Sequence, residues 1–206
     1  SADDGARRSF FRLRHDGAPP TAPAIECACD EPSTVGVEIR LSAADGDSGV
    51  GEILYSLDGG EPTTVYTGPF KAYASGVLRA RARDRVGNLG PIATQALAID
   101  VSGDQTPPST PQLRFTPLQG TSAQDDVVTF DPESAQSFVL QAGAEDPESG
   151  IAAITYPDLP GWTRSPTPGG VIYQRGPSAE ESGPHVVTAT NHAGRTSEAT
   201  FRLVSA

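Results

Sequence analysis

In the stretch "VGVEIRLSA", Val37, Ile39 and Leu41 alternate with Glu38 and Arg40. A period of two sends successive side chains to opposite faces, so the segment reads as a strand with one buried face. In "GVLRARARD" from Gly76, apolar and arginine positions alternate in the same way. "GEILYSLDGG" ends on a turn dipeptide, and "ATQALAIDV" is a further apolar-rich strand. Downstream, "SFVLQAGA", "IAAITYPDL", "GGVIYQR", "HVVTATN" and "ATFRLVSA" continue the series of short segments separated by Gly, Pro and Asp. The chain carries 22 Gly and 19 Pro, and an interior proline costs a helix about 3 kcal/mol, so long helices are excluded. The pattern predicts an all-β protein built as β-sandwiches.

The chain repeats itself. "AADGDSGVGEI" at 43–53 returns as "GAEDPESGIAAI" at 143–154, with Asp45, Ser48 and Gly49 matched by Asp146, Ser149 and Gly150. "RARARDRVGNLG" from Arg79 returns as "VVTATNHAGRTS" from Val186, and "DGAPPTAPAI" at 16–25 as "DQTPPSTPQL" at 104–113. Correspondences in one order mark tandem domains, each preceded by a short, stiff proline linker. The expected division is 1–17, 18–104 and 105–206. The segments "YSLDGG", "YTGPF" and "VTATNHAG" resemble the bacterial immunoglobulin-like repeats of secreted and surface proteins, with the second unit similar to a type common in large actinobacterial surface proteins. That resemblance covers almost all of 20–206 and implies two tandem immunoglobulin-like sandwiches in an extracellular setting.

"GDSG" at 46–49 has the letters of a serine-protease nucleophile motif, with Ser48 as the attacking residue. A nucleophile needs a histidine in reach, an acid to orient it and an oxyanion hole. The histidines are His15, His185 and His192, and the second unit repeats the serine as Ser149. The serine thus belongs to the repeat and is expected to bond locally at the bend between strands. No enzyme activity is expected.

If the strands are lettered A to G, the loop holding Asp45 and Asp47 lies between B and C, and Asp84 between F and G. Those loops share a pole of such a sandwich, where the linker residue Asp16 also enters. The second unit offers Asp104, Asp146, Glu148 and Asn191 in the same places. Clustered oxygens suit calcium, which takes about 6–8 ligands. A bound ion would fix the angle between domains, as the resemblance to cadherin-like arrays suggests. The same residues also serve as ordinary turn formers that bond nearby N–H groups. Both readings stand.

A net charge of −11 excludes nucleic-acid binding and disfavours anionic membrane surfaces, and no apolar run is long enough to span a membrane. The chain has no methionine and begins at Ser1, which fits a processed or excised piece. Cys27 and Cys29 on an extended strand would lie about 6.6 Å apart, at the edge of disulfide geometry, so two partly exposed thiols are expected. Zinc is not expected, for want of a second ligand pair. Trp162 is expected to pack inward instead of stacking on a sugar, and Tyr55, Tyr66, Phe70 and Tyr173 to be core or sheet-edge aromatics.

"RRSFFRLR" near the front parallels the closing strand "TFRLV". Residues 7–14 are expected to pair with a sheet edge, either of an upstream repeat or of another chain in head-to-tail association. The functional expectation is a structural or adhesion segment: a stalk, spacer or filament subunit of a bacterial surface protein, with neighbouring repeats as partners. The alternative is a glycan- or ligand-binding accessory module of a secreted enzyme.

Overall fold

The computed structural model describes residues 16–131, 133, 135–176, 180 and 182–206. The expected front strand at 7–14 lies outside them. Every regular element among the described residues is a strand. The fold is all-β, two tandem immunoglobulin-like sandwiches. Contacts divide these residues into two compact units, one of 16–29, 38–70 and 76–97 and another of 30–37, 71–75 and 98–206.

The first sandwich is built from β1 (Ala24–Glu26), β2 (Val37–Ser42), β3 (Val50–Ser56), β4 (Thr64–Val65), β5 (Phe70–Ala72), β6 (Ala74–Asp84) and β7 (Leu89–Asp100). One sheet has the order β1-β2-β5 and the other β4-β3-β6-β7. The alternation that defines β2 and β6 is the alternation of burial. Ile39, Leu78, Ala80 and Ala82 are fully inside, while Glu38 and Arg40 are exposed. On β3, Ile53 pairs with Ala82 and Tyr55 with Ala80, so both face inward. Tyr55 stacks on Phe70 with centroids 4.6 Å apart, and Tyr66 meets Phe70 edge-on. The outward arginines pair with carboxylates, Arg83 with Glu52 across the strands and Arg81 with Glu61 in the connection from β3 to β4.

The second sandwich comprises β8 (Gln112–Pro117), β9 (Thr121–Gln124), β10 (Val127–Phe130), β11 (Ser137–Gly143), β12 (Ile151–Thr155), β13 (Trp162–Thr167), β14 (Gly170–Arg175), β15 (Ser182–Asn191) and β16 (Thr196–Ser205). Its sheets run β12-β15-β16-β10-β9 and β13-β14-β11-β8. β10 lies parallel to β16 and antiparallel to β9. Val128, Phe130, Phe138, Leu140, Tyr173 and Phe201 fill the core. Trp162, 8% exposed, packs edge-on to Phe130 and Phe138, as expected of a core residue. The Tyr173 hydroxyl donates to the Pro157 carbonyl at 2.6 Å, and burial pushes its pKa well up.

One expectation is corrected. Cys27 and Cys29 are not thiols but a disulfide, with Cα atoms 5.3 Å apart. β1 stops at Glu26 and the chain bends at Cys27 and Ala28. The bend shortens the distance below the about 6.6 Å of an extended strand, which is what had argued against the bridge.

Candidate metal centres

In each sandwich the repeated acidic loop joins two consecutive strands: β2 to β3 in the first, β11 to β12 in the second. The repeated Asp/Asn turn joins the last two strands, β6 to β7 and β15 to β16. The linker aspartate approaches both. Asp16, Asp45 and Asp84 each place a carboxylate oxygen within 4.8 Å of the others, and Asp104, Asp146 and Glu148 do the same.

In the first cluster Asp16 Oδ2 accepts the Ser48 N–H at 2.9 Å and its Oδ1 accepts Ala18 N–H. Asp45 Oδ1 accepts the N–H groups of Asp47 and Gly49, the latter at 2.7 Å. Gly49 has φ 81°, a conformation that costs only glycine nothing, and its counterpart Gly150 has φ 68°. Asp84 Oδ1 gathers the N–H groups of Val86, Gly87 and Asn88, and its Oδ2 accepts the Asn88 amide at 2.7 Å. The same amide donates to the Asp16 carbonyl. Asp47 stands apart: its side chain is exposed, and its contribution is the N–H it gives Asp45.

The second cluster has the same plan with different donors. Asp146 Oδ1 accepts the N–H groups of Ser149 and Gly150. The Ser149 hydroxyl, fully buried, donates to Asp104 Oδ2 at 2.6 Å. Asn191 replaces Asp84. Its amide donates to Asp104, to Asp146 at 2.9 Å and to the Thr106 carbonyl, while its Oδ1 accepts the Arg195 N–H. Arg195 Nε donates to the Asp104 carbonyl, and its guanidinium also bonds Gln105. Asn191 therefore turns N–H groups, not an oxygen, toward the carboxylates.

Burial opposes ionisation of Asp84 and of Asp146, but the donors outweigh it and hold both carboxyls below the usual value of 3.8. For Asp84 these are the Asn88 amide and the turn N–H groups; for Asp146 they are Asn191, Ser149 and Gly150. Oxygen-only clusters of this kind suit a hard cation. In the first, Asp45 Oδ2 takes no bond from the described residues, and the three carboxylates meet one amide. In the second, the Asn191 amide donates to both the Asp104 and the Asp146 carboxylates and so supplies positive hydrogens between them. The first donor set, whose carboxylates no amide bridges, fits calcium better than the second.

The sequence brought the eight candidates to two poles but gave Asn88 and Arg195 no role. Their signal was the fixed offset of four from Asp84 and Asn191 in the repeat. Another pair was also missed: Ser182 Oγ lies 2.8 Å from His185 Nε2. Burial beside Phe201 lowers the His185 pKa, partly offset by a bond with Ser182.

Residues 31–94 are similar to the chitobiase/beta-hexosaminidase C-terminal domain. No curated protein matches the chain. Among solved structures, the D00-D0 domain of intimin has 13% identity and TM-score 0.27, covering 89% of this chain and 98% of its own. Fibronectin(III)-like modules of Clostridium thermocellum CbhA have 14% identity and TM-score 0.26, covering 89% and 93%.

Proposed function

We propose that the chain is a non-catalytic structural or adhesion segment of a bacterial surface protein, a stalk, spacer or filament subunit working outside the cell. The observation that carries this reading is the use made of its chemically capable residues. The Ser48 N–H and the Asn88 amide in the first sandwich, and the Ser149 hydroxyl, the Asn191 amide and Arg195 in the second, fasten each linker to two loops of its sandwich. A segment whose polar residues stiffen domain entry suits load-bearing or spacing work. The Cys27–Cys29 bridge supports an oxidising compartment. Neighbouring repeats of the same array are the partners of this reading.

Calcium belongs to the first pole, where Asp16, Asp45 and Asp84 would hold it and further neutralise the linker contact. The test of the main reading is assay of the purified chain with ester and glycoside substrates, alongside single-molecule extension. Two cooperative unfolding events without turnover are expected. Turnover abolished by Ser48→Ala or Ser182→Ala would overturn it.

A second reading, an accessory module of a secreted enzyme, is favoured by the similarity of 31–94 to the chitobiase/beta-hexosaminidase C-terminal domain. Trp162 is not its sugar platform, being buried between Phe130 and Phe138. Calorimetric binding of chitooligosaccharides would favour this reading over the first.

A further inference from the structure

The Cys27–Cys29 bridge joins residues two apart, so it closes a very small loop that restrains an unfolded chain little. It is therefore poorly suited to be a staple. It lies outside every ladder: β1 ends at Glu26, and the chain next meets a strand at the Ser33–Ile99 bridge. Both cysteines are half-exposed, and Ala28 between them is exposed. Exposed Glu26, Asp30 and Glu31 flank them.

The register of β1 on β2 is what gives this bridge a consequence. Ala24 pairs with Ser42, Ile25 with Leu41 and Glu26 with Arg40. Continued by two residues, the ladder would set Cys27 opposite Ile39 and Ala28 opposite Glu38. β2 already contains both of those partners, yet β1 stops short of them. In the continued ladder Cys27 would share the inward face of Ile25 and Leu41, a place where a thiol behaves as a small apolar side chain. What prevents it is the bend that holds the two Cα atoms at 5.3 Å, where an extended strand needs about 6.6 Å.

We infer that Cys27–Cys29 is a thiol–disulfide exchange site, and that opening it lets β1 lengthen along β2. The co-reactant is a small thiol. Its thiolate attacks one Sγ, the new S–S bond forms as the Cys27–Cys29 bond breaks, and the displaced sulfur keeps the electron pair and takes a proton from water. A second thiol resolves the mixed disulfide, leaving two cysteine thiols and one molecule of the oxidised reagent. Two thiols are oxidised for each bridge reduced. The three flanking carboxylates repel an anionic thiolate reagent and tolerate a cationic one, so the site selects its co-reactant by charge.

The test uses the whole chain in native buffer. Cysteamine and mercaptoacetate are compared as reductants at equal thiolate concentration, with alkylation and mass spectrometry as the readout. Hydrogen exchange over residues 24–30 is then measured in the oxidised, reduced and Cys27→Ala/Cys29→Ala forms. Expected are reduction of the folded chain, a several-fold faster reaction with cysteamine that 1 M salt removes, and, of the amides at 27 and 28, the one turned toward β2 exchanging at least about tenfold more slowly once the bridge is open, as a new antiparallel ladder requires. Alkylation only under conditions that also unfold the chain would overturn the exchange site. Unchanged or faster amide exchange in both the reduced and the doubly substituted chains would overturn the strand extension, and equal rates with the two reagents would overturn the charge selection.

Discussion

Asn88 and Arg195 occupy equivalent places in the repeated turn and make equivalent contacts: Asn88 Nδ2 donates to the Asp16 carbonyl at 3.1 Å, and Arg195 Nε to the Asp104 carbonyl at 3.4 Å. Each fastens its linker at the same backbone atom. The residue four positions earlier changes in concert, Asp84 in the first sandwich and Asn191 in the second. The amide that meets the carboxylates has moved across the turn while the contact to the linker has stayed.

Asn191 should be the costlier member to lose. Asn191→Ala leaves Asp104, Asp146 and the Arg195 N–H short of partners, and buried polar groups so orphaned cost about 1–3 kcal/mol each. Asn191→Asp places a third carboxylate beside Asp104 and Asp146, a loss that should shrink on acidification. Adding Arg195→Asn rebuilds the first sandwich's pairing, and denaturant melts should show at least about 1 kcal/mol of recovery in the double-mutant cycle.

Calcium should act on one sandwich. At 100 times its dissociation constant an ion adds about 2.7 kcal/mol, so the transition of the first sandwich should rise in calcium and fall back in chelator. Asp45→Asn should remove the response, and Asp146→Asn should leave it in place. Identical scans in calcium and chelator would leave turn hydrogen bonding as the whole role of Asp16, Asp45 and Asp84.

Acid should unfold the chain in two stages. His185 has a folded pKa below its ordinary 6.5, so the unfolded state binds the proton first and stability declines as pH falls below about that value. Asp84 and Asp146 have folded values below 3.8, so their contribution is complete above that pH and is lost as pH falls through the depressed folded values. Chemical denaturation at stepped pH reads both limbs. His185→Gln should flatten the upper one, and Asp84→Asn with Asp146→Asn the lower.

The two repeated serines should differ. Ser149→Ala removes a buried hydroxyl bond to Asp104 and should cost about 1–2 kcal/mol, whereas Ser48→Ala keeps the main-chain N–H that Asp16 accepts and should cost less than about 0.5 kcal/mol. Neither serine should react with a fluorophosphonate. Labelling of Ser48 would revive the protease reading.

Strands with one wet face could be read directly, because burial there follows the alternation of Val37, Ile39 and Leu41 or of Leu78, Ala80 and Ala82. β4 was missed because two residues carry no period, and β13 because Pro166 and a run of exposed residues hide it. β9 and β10 turn on Asp125, which has φ 53° without being glycine, so the hairpin lacks its usual marker. The acidic poles were legible because the repeat displayed them twice. The donors Asn88 and Arg195 were not, since two unlike side chains at one position look like drift until their shared acceptor is seen. The cysteine bridge was misjudged because an extended strand was assumed through Cys29, three residues past the end of β1.

The parallel pairing of β10 with β16 sets a timetable for the second sandwich. β16 is the middle strand of its five-stranded sheet, yet it is made after the other four. A ribosome or export channel that delivers the chain from its N-terminus must release β16 before β9 and β10 can join β12 and β15 in one sheet. Until then β10 offers an unpaired edge and the apolar faces of Val128 and Phe130 to whatever is near, the kind of surface that holdase chaperones cover. The first sandwich draws its strands from earlier in the chain, so β1 to β7 can pair while β16 is still being delivered. Ribosome-stalled chains ending before Thr196 should therefore yield a protease-resistant first sandwich and a second that is digested.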